Sequence, residues 1–480
     1  MRPTMSTCGG AAIVALLLVS HPLHAVAQSP GMPRETAITH VSVVDVVKGG
    51  LLTDQTVVVS GRHIDRMGPA SSTRVAGGAT IVDGRGKFLI PGLWDMHAHV
   101  FANSSANGVD LHALEFPLYI ANGVTGLRDM WTTLEEIPRV REWTMAEEAG
   151  ELVGPRVVPT STMISGPNPG EHHTIVVTTP DAARRVVDSL VAGGARTIKV
   201  QNELARDVYL AIADEARIKG VRYVGHVAAS MRAREASAAG QHSIEHASGV
   251  NDGCSREETE VMRRRADPSL SQAVGRFVMA TYDDSTCVSL ARFFVEHDTW
   301  IVPTFVTRTI GLPDDSLRAG HRGYAYTAVS DRAQWATLRV RDSAAVAATR
   351  LSFARGLAVI GLMSRNGVSI LAGTDVGNPW LSYGFSLQDE LAHMVEAGLS
   401  PLEALRTATL NPARFLEATD SLGSVSPAHV ADLVLLDADP LVDIRNTRRI
   451  RAVMRAGRLY DRTALDSLLA TARVTAETMR

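Results

Sequence analysis

The sequence predicts an α/β protein: a (β/α)8 TIM barrel beside a small β-sandwich domain built from both ends of the mature chain. Three observations predict it. From residue 93 onward, eight short apolar strands alternate with amphipathic helical segments, the order that builds a parallel barrel. The flanking stretches are instead β-branched runs broken by turn residues. Polar residues of a few chemical kinds recur near the C-terminal ends of the barrel strands, where barrel active sites lie. A doubly wound open sheet is the competing architecture. It is weakened because no Gly-rich phosphate fingerprint follows the first strand.

The elements follow in order. The chain has 480 residues, 45% hydrophobic and 21% charged, which suits a large packed core. Its net charge of −3 gives no basic surplus for nucleic acid. Residues 1–27 read as a signal peptide: Arg2 at the start, an apolar run from Ala11 to Val19, and the small-residue site Ala25-Val26-Ala27. An N-terminal membrane anchor is the alternative, but the run is short for a bilayer span. The mature protein is therefore expected to be exported, periplasmic or secreted, with no stable membrane insertion. No later stretch reads as long and apolar enough to cross a membrane. Residues 28–92 form the N-terminal part of the sandwich, in runs such as "AITHVSVVDVV" and "QTVVVSGRHIDRMG". Residues 93–421 form the barrel, with strands "LWDMHAHV", "GVTGLRDM", "PRVVPTST", "ARTIKVQ", "VRYVGHV", "QHSIEHA", "TWIVPTF" and "GVSILAGTD". Residues 422–480 return to β structure and end in a tail. Residues 250–297 are an insertion after the sixth strand, on the catalytic face, and are expected to act as a lid. They carry Cys254 and Cys287, the two cysteines left once Cys8 departs with the leader. In an oxidising compartment this pair is expected to form a disulfide, two free thiols being the alternative.

The stretch "FLIPGLWDMHAHV" ends an apolar strand on His97 and His99. Alternation along a strand points both imidazoles to one face. Strand four carries Lys199, strand five His226, strand six His246 and strand eight Asp375. A single histidine on such a strand is usually a hydrogen-bonded core residue. Six such positions, all at strand C-terminal ends, point instead to ligands for zinc-like cations. Lys199 is one of only four lysines in the chain. A lysine in a barrel strand must be paired or neutral. A neutral amine can add carbon dioxide to become a carbamate, an anion able to bridge two metal ions, which arginine cannot do. A lysine reaching solvent or a substrate carboxylate is the alternative.

With these residues in place, the chain resembles the amidohydrolase superfamily over residues about 38–462, and within it the imidazolonepropionase-like and prolidase-like branch. The carrying motifs are "DGRGKFLIPGLWDMHAHV", "GVTGLRDM", "IKV", "VGHV", "SIEHASG", "LAGTDVG", "SPLEALRTATLNPARFL" and "GSVSPAHVADLVLLDADPL". The resemblance implies two divalent metal ions, with zinc the usual metal and manganese or cobalt compatible with the ligands. It implies His97, His99 and Asp375 on the first ion, His226 and His246 on the second, and carboxylated Lys199 with a hydroxide bridging them. Asp375 is implied as the catalytic acid–base. The expected reaction is hydrolysis of an amide C–N bond in a dipeptide or N-acyl amino acid. Alternatives are a lactone or phosphotriester hydrolase, a mononuclear imidazolonepropionase-like cyclic amidase, and a binding protein on a decayed hydrolase scaffold. The partner is a small molecule, and a homo-oligomer is common in the resembled family. Weaker candidates for substrate contact are His172, His173 and Tyr223, with Asn378 and Tyr383 as further pocket residues. Arg128 and Asp129 are candidates to support the ligands. His242 and His393 read as structural, and Glu245 is expected to face the helices, away from His246.

Overall fold

The structure, a computed structural model, describes residues 35–101, 112–167, 169, 174–267, 269–310, 321–336 and 343–479. Residues 1–34, with the expected signal peptide and Cys8, and His172 and His173 lie outside the described residues.

Both ends of the chain meet in one sheet. Its N-terminal strands are β1 (Thr36–Val44), β2 (Leu51–Ser60), β3 (His63–Pro69), β4 (Thr80–Asp83) and β5 (Phe88–Pro91). β5 lies parallel to β1 and antiparallel to the late strand Leu433–Leu436. That pairing joins residues 88–91 to the C-terminal strands. The result is a single eight-stranded sheet in which β4 pairs only with β1. Its inner face buries Ile38, Val57, Val59, Leu89, Leu433 and Met454 in a common core.

Gly92 separates β5 from β6 (Leu93–Ala98), so the terminal sheet feeds directly into the α/β body. There β6, β7 (Val124–Asp129) and β8 (Arg156–Pro159) form a three-stranded parallel sheet. A second sheet holds β9 (Met163–Ser165), β10 (Ile175–Val176), β11 (Thr197–Val200), β12 (Arg222–Gly225), β13 (Gln241–Glu245) and β14 (Trp300–Val302). Segment 370–376 lies between the two sheets. Leu371 N donates to Ile301 O in β14, and Met96 N of β6 donates to Ala372 O. The strands are short and mostly buried, as expected for parallel strands covered by helices. The helices are set by local signals. Thr179 caps Pro180–Ala192, whose Ala183, Val187 and Leu190 form the buried stripe. Ser400 and Glu403 form a capping box on Pro401–Thr407. The C-terminal strands β15 (Leu433–Leu436), β16 (Ile450–Arg455) and β17 (Arg458–Tyr460) lead to a final helix, Arg462–Thr478. This helix packs against His112–Ala121.

Two expectations need correction. The insertion after β13 is shorter than 250–297. Asp283 caps the helix Asp284–Glu296, which runs into β14 and packs on helices Ala233–Ala238 and Ser343–Arg365, so it belongs to the helix layer. The inserted part is the helices Val250–Gly253, Glu258–Arg265 and Ser271–Thr281. A Cys254–Cys287 disulfide closes its base, beside backbone hydrogen bonds from Arg256 N to Thr281 O and Asp283 N to Cys254 O. The second correction concerns hydropathy. Ser343–Arg365 is a helix of 23 residues, long and apolar enough to cross a membrane. It packs against Asp284–Glu296, Phe305–Thr309 and Phe385–Glu396 and buries Leu357, Val359, Ile360, Leu362 and Met363, while Leu351 stays exposed.

Candidate metal centre

Asp95 and His97 on β6, and His99 just past its end, share one face. Asp95 anchors the facing segment: its Oδ2 accepts from Thr374 Oγ1 at 2.6 Å and its Oδ1 from Thr374 N at 3.0 Å. Burial lifts the Asp95 carboxyl to about 6 against those hydrogen bonds. Gly373 allows the close approach, because a Cβ there would lie 2.7 Å from both His97 Cβ and Val302 Cγ1. Asp375 follows with a φ of 59°, a left-handed backbone that turns its carboxylate toward the histidines. Its Oδ1 lies 2.9 Å from His99 Nε2 and 3.3 Å from His97 Nε2. Asn378 Nδ2 donates to its Oδ2 at 2.9 Å. Ligand atoms of His97, His99 and Asp375 all fall within 4.8 Å of one another. Donor atoms about 2.1 Å from a tetrahedral ion sit ~3.4 Å apart, so this spacing suits one ion.

Glu245 is the main correction at the site. It does not face the helices. Its Oε2 lies 2.7 Å from His97 Nδ1, and its Oε1 accepts from Arg128 Nη2 at 2.8 Å and from Ser243 Oγ. Burial alone would raise its carboxyl, but Arg128 and then His97 reverse this and hold it far below the carboxylate range. An ionised acceptor at Nδ1 fixes the His97 proton there and leaves Nε2 with its lone pair toward Asp375. His97 Nε2 and His99 Nδ1 are buried with no hydrogen-bond partner. Orphaned nitrogens of this kind fit a bound cation.

Both Glu245 and His246 reach the interior because alternation breaks between them. His246 has a φ of 58° and Ala247 of 49°. The His246 ring lies 4.7 Å from that of His97 and 4.8 Å from that of His226. Thr304, itself at a φ of 47°, places Oγ1 2.7 Å from His246 Nδ1. Glu390 holds that turn by accepting from Phe305 N and Val306 N at 3.0 and 2.9 Å. Burial raises the Glu390 carboxyl to about 8 against these two bonds. His226 Nδ1 lies 3.0 Å from Asn202 Oδ1, so Nε2 is the nitrogen that could bind an ion. Burial holds His246 at about 3 and His226 well below its usual value, so both rings are neutral, as ligation requires. Lys199 is 1% exposed on β11, and its charge acts on His97, His226 and His246 alike.

The weaker candidates divide. Arg128 reaches His97 through Glu245. Asp129 accepts from Val100 N at 2.8 Å and from Thr132 Oγ1 at 2.6 Å, steadying the loop after β6. Tyr223 does not reach the site. Its hydroxyl donates to Ala236 O at 3.1 Å on the helix side, since an odd spacing from His226 puts the two on opposite faces of β12. Tyr383 shares a cavity wall with Asn378. His242 stacks on Phe415, ring centroids 4.5 Å apart. Sequence reasoning missed Asp95, Asn202, Thr304 and Glu390. Only Asp95 had a signal, its two-residue spacing from His97.

A parallel α/β body that gathers imidazoles and a carboxylate at strand C-terminal ends defines an α/β protein with a candidate metal site. The chain belongs to the Amidohydrolase family, whose pattern matches residues 88–460. It is 30% identical over 138 residues to an imidazolonepropionase from Idiomarina loihiensis, 28% of this chain and 34% of that protein. The match thus spans about a third of that relative's length. Among solved structures, a bottromycin amidohydrolase superposes with a TM-score of 0.72 at 22% identity, covering 93% of this chain and 91% of its own. A Xaa-Pro dipeptidase with bound methionine superposes with a TM-score of 0.63 at 19% identity, covering 89% and 100%. At these identities the two structures establish likeness of fold.

Proposed function

We propose that this protein hydrolyses an amide C–N bond in a dipeptide or N-acyl amino acid at a two-metal centre. His97, His99 and Asp375 would hold one divalent ion, and His226 and His246 would hold the other. Lys199, carboxylated by carbon dioxide with loss of a proton, would supply an anionic ligand to this centre. The carrying observation is the convergence of His97, His99 and Asp375 around buried nitrogens that have no other partner. The neutral rings of His226 and His246 beside buried Lys199 support the second position. When bound, zinc or a similar ion supplies an activated water and polarises the scissile carbonyl.

The chain's own residues do the rest. Glu245 and Arg128 fix the tautomer of His97. Asn202 and Thr304 orient His226 and His246. Asp375 takes a proton from the attacking water and delivers it to the leaving amine nitrogen. Asn378 keeps the Asp375 carboxylate turned toward that path. The bonds from segment 370–376 to β14 and β6 support a closed (β/α)8 barrel around these groups. The Cys254–Cys287 disulfide supports export through a signal peptide at residues 1–27.

A second reading is a mononuclear cyclic amidase, favoured by the tight three-residue cluster of His97, His99 and Asp375. One panel separates the two. Purified metal-loaded protein is offered dipeptides, N-acyl amino acids, cyclic amides, lactones and phosphotriesters. Turnover of linear amides is expected to exceed the others by at least ~100-fold. Turnover confined to cyclic amides or to esters overturns the proposal.

A further inference from the structure

A cavity of about 430 Å³ opens beside the metal centre. Its wall includes Asn202, Ala247 and Ser248 from the strand ends, Asn251, Asp252 and Arg265 from the insertion, and Arg308. Two arginines therefore face one cavity, in unlike states. Arg265 is neutralised by Asp252, with Nη2 2.8 Å from Oδ1. Arg308 forms no ion pair among the described residues. Its one hydrogen bond there runs from Nη2 to the backbone carbonyl of His246, at 2.9 Å.

A half-buried guanidinium without a carboxylate beside it is a ready site for an anion. Divalent cations at the neighbouring histidines would sharpen the demand. The remaining donors of a guanidinium form a fork that fits a carboxylate in two-point contact. We propose that Arg308 binds the free carboxylate of the substrate, making the cavity the pocket for the amino-acid side of the scissile amide. The span is short, because Arg308 is bonded to the main chain of His246 itself. A carboxylate gripped there sits near the ligands, as the α-carboxylate of an amino acid sits near its own amide nitrogen. Asn251 carries a buried amide oxygen with no partner, a second polar group with free capacity on the same wall. The insertion, pinned at its base by the disulfide, thereby shapes the pocket for that residue's side chain.

This inference rests on the amide-hydrolase reading, and its test keeps the two apart. Matched pairs of N-acetyl amino acids and their carboxamides are assayed for hydrolysis, and for binding by calorimetry, with metal-loaded protein. The unsubstituted protein is expected to favour the acids. In Arg308→Met the preference for acid over amide falls ~10–100-fold, mainly in KM. Arg308→Lys keeps a cation and part of the preference, and its metal content and melting temperature guard against a folding artefact. Equal handling of acid and amide by the unsubstituted protein, or a preference unchanged in Arg308→Met, overturns the inference while hydrolysis stands. Binding of acids that depends on Arg308, without any hydrolysis, sinks the hydrolase reading and leaves Arg308 in its role. No binding of the acids at all overturns the role of Arg308.

Discussion

Glu245 joins two kinds of work in one side chain. It sets the proton on His97 and neutralises Arg128, which is itself almost fully buried. Glu245→Gln is expected to weaken both. Removing a carboxylate from a buried pair strands the opposite charge, at about 3–5 kcal/mol. Denaturant unfolding should show that loss, and elemental analysis should show less metal retained. An unchanged unfolding midpoint would mean that Arg128 finds another partner. His242 offers a cleaner pH test, since it lies outside the ligand set. Burial, then the nearby arginines, lowers it from 6.5 to about 3, and its Nε2 is buried without a partner. The unfolded chain binds a proton at this position below about pH 6.5, while the folded chain resists until about pH 3. Stability from this group is therefore complete above pH 6.5 and lost as pH falls through that window. His242→Phe, which keeps the stack on Phe415, should flatten the loss by up to about 3 kcal/mol at pH 4. Thermal melts of both proteins at pH 7 and pH 4 would show it, and parallel acid losses would refute it.

At the scale of elements, strand alternation explains what was legible and what was not. His97 at the end of β6 and His99 just beyond it share a face, and alternation places them together. The same rule sent Glu245 outward, because it assumes an unbroken strand through His246. The left-handed backbone at His246 and Ala247 breaks that assumption, and no residue type there announces it. Thr304 and Asp375 also sit at positive φ at strand ends. Such backbone strain clusters where side chains must be aimed. Asn202, Thr304 and Glu390 were illegible because each acts through a contact between distant segments. The insertion gives a prediction at this scale. Its disulfide links positions separated by 33 residues, worth roughly 3–4 kcal/mol on loop entropy. Replacing both cysteines by serine should lower the melting temperature and loosen residues 250–281 first. Hydrogen exchange would locate the change, and loosening spread evenly over the sheets would contradict a local role.

For the whole molecule, the two ends of the chain are one structural unit, because β5 pairs with β15 and continues through Gly92 into β6. The alternation of strands and helices in the sequence made the α/β body legible. The pairing of the two terminal β segments was legible only as composition, since register depends on partners more than 340 residues away. A chain truncated after residue 421 would expose β5 as an unpaired edge and should be recovered mainly as aggregate. A soluble, metal-loaded truncation would contradict that coupling. The central claim concerns the six residues drawn from distant strands onto one site. The most direct test is elemental analysis of the purified protein beside Lys199→Ala. Two metal ions per chain, falling to one or fewer in the variant, is the expected result. One ion or none, unchanged in Lys199→Ala, would contradict a bridging lysine and a two-metal centre.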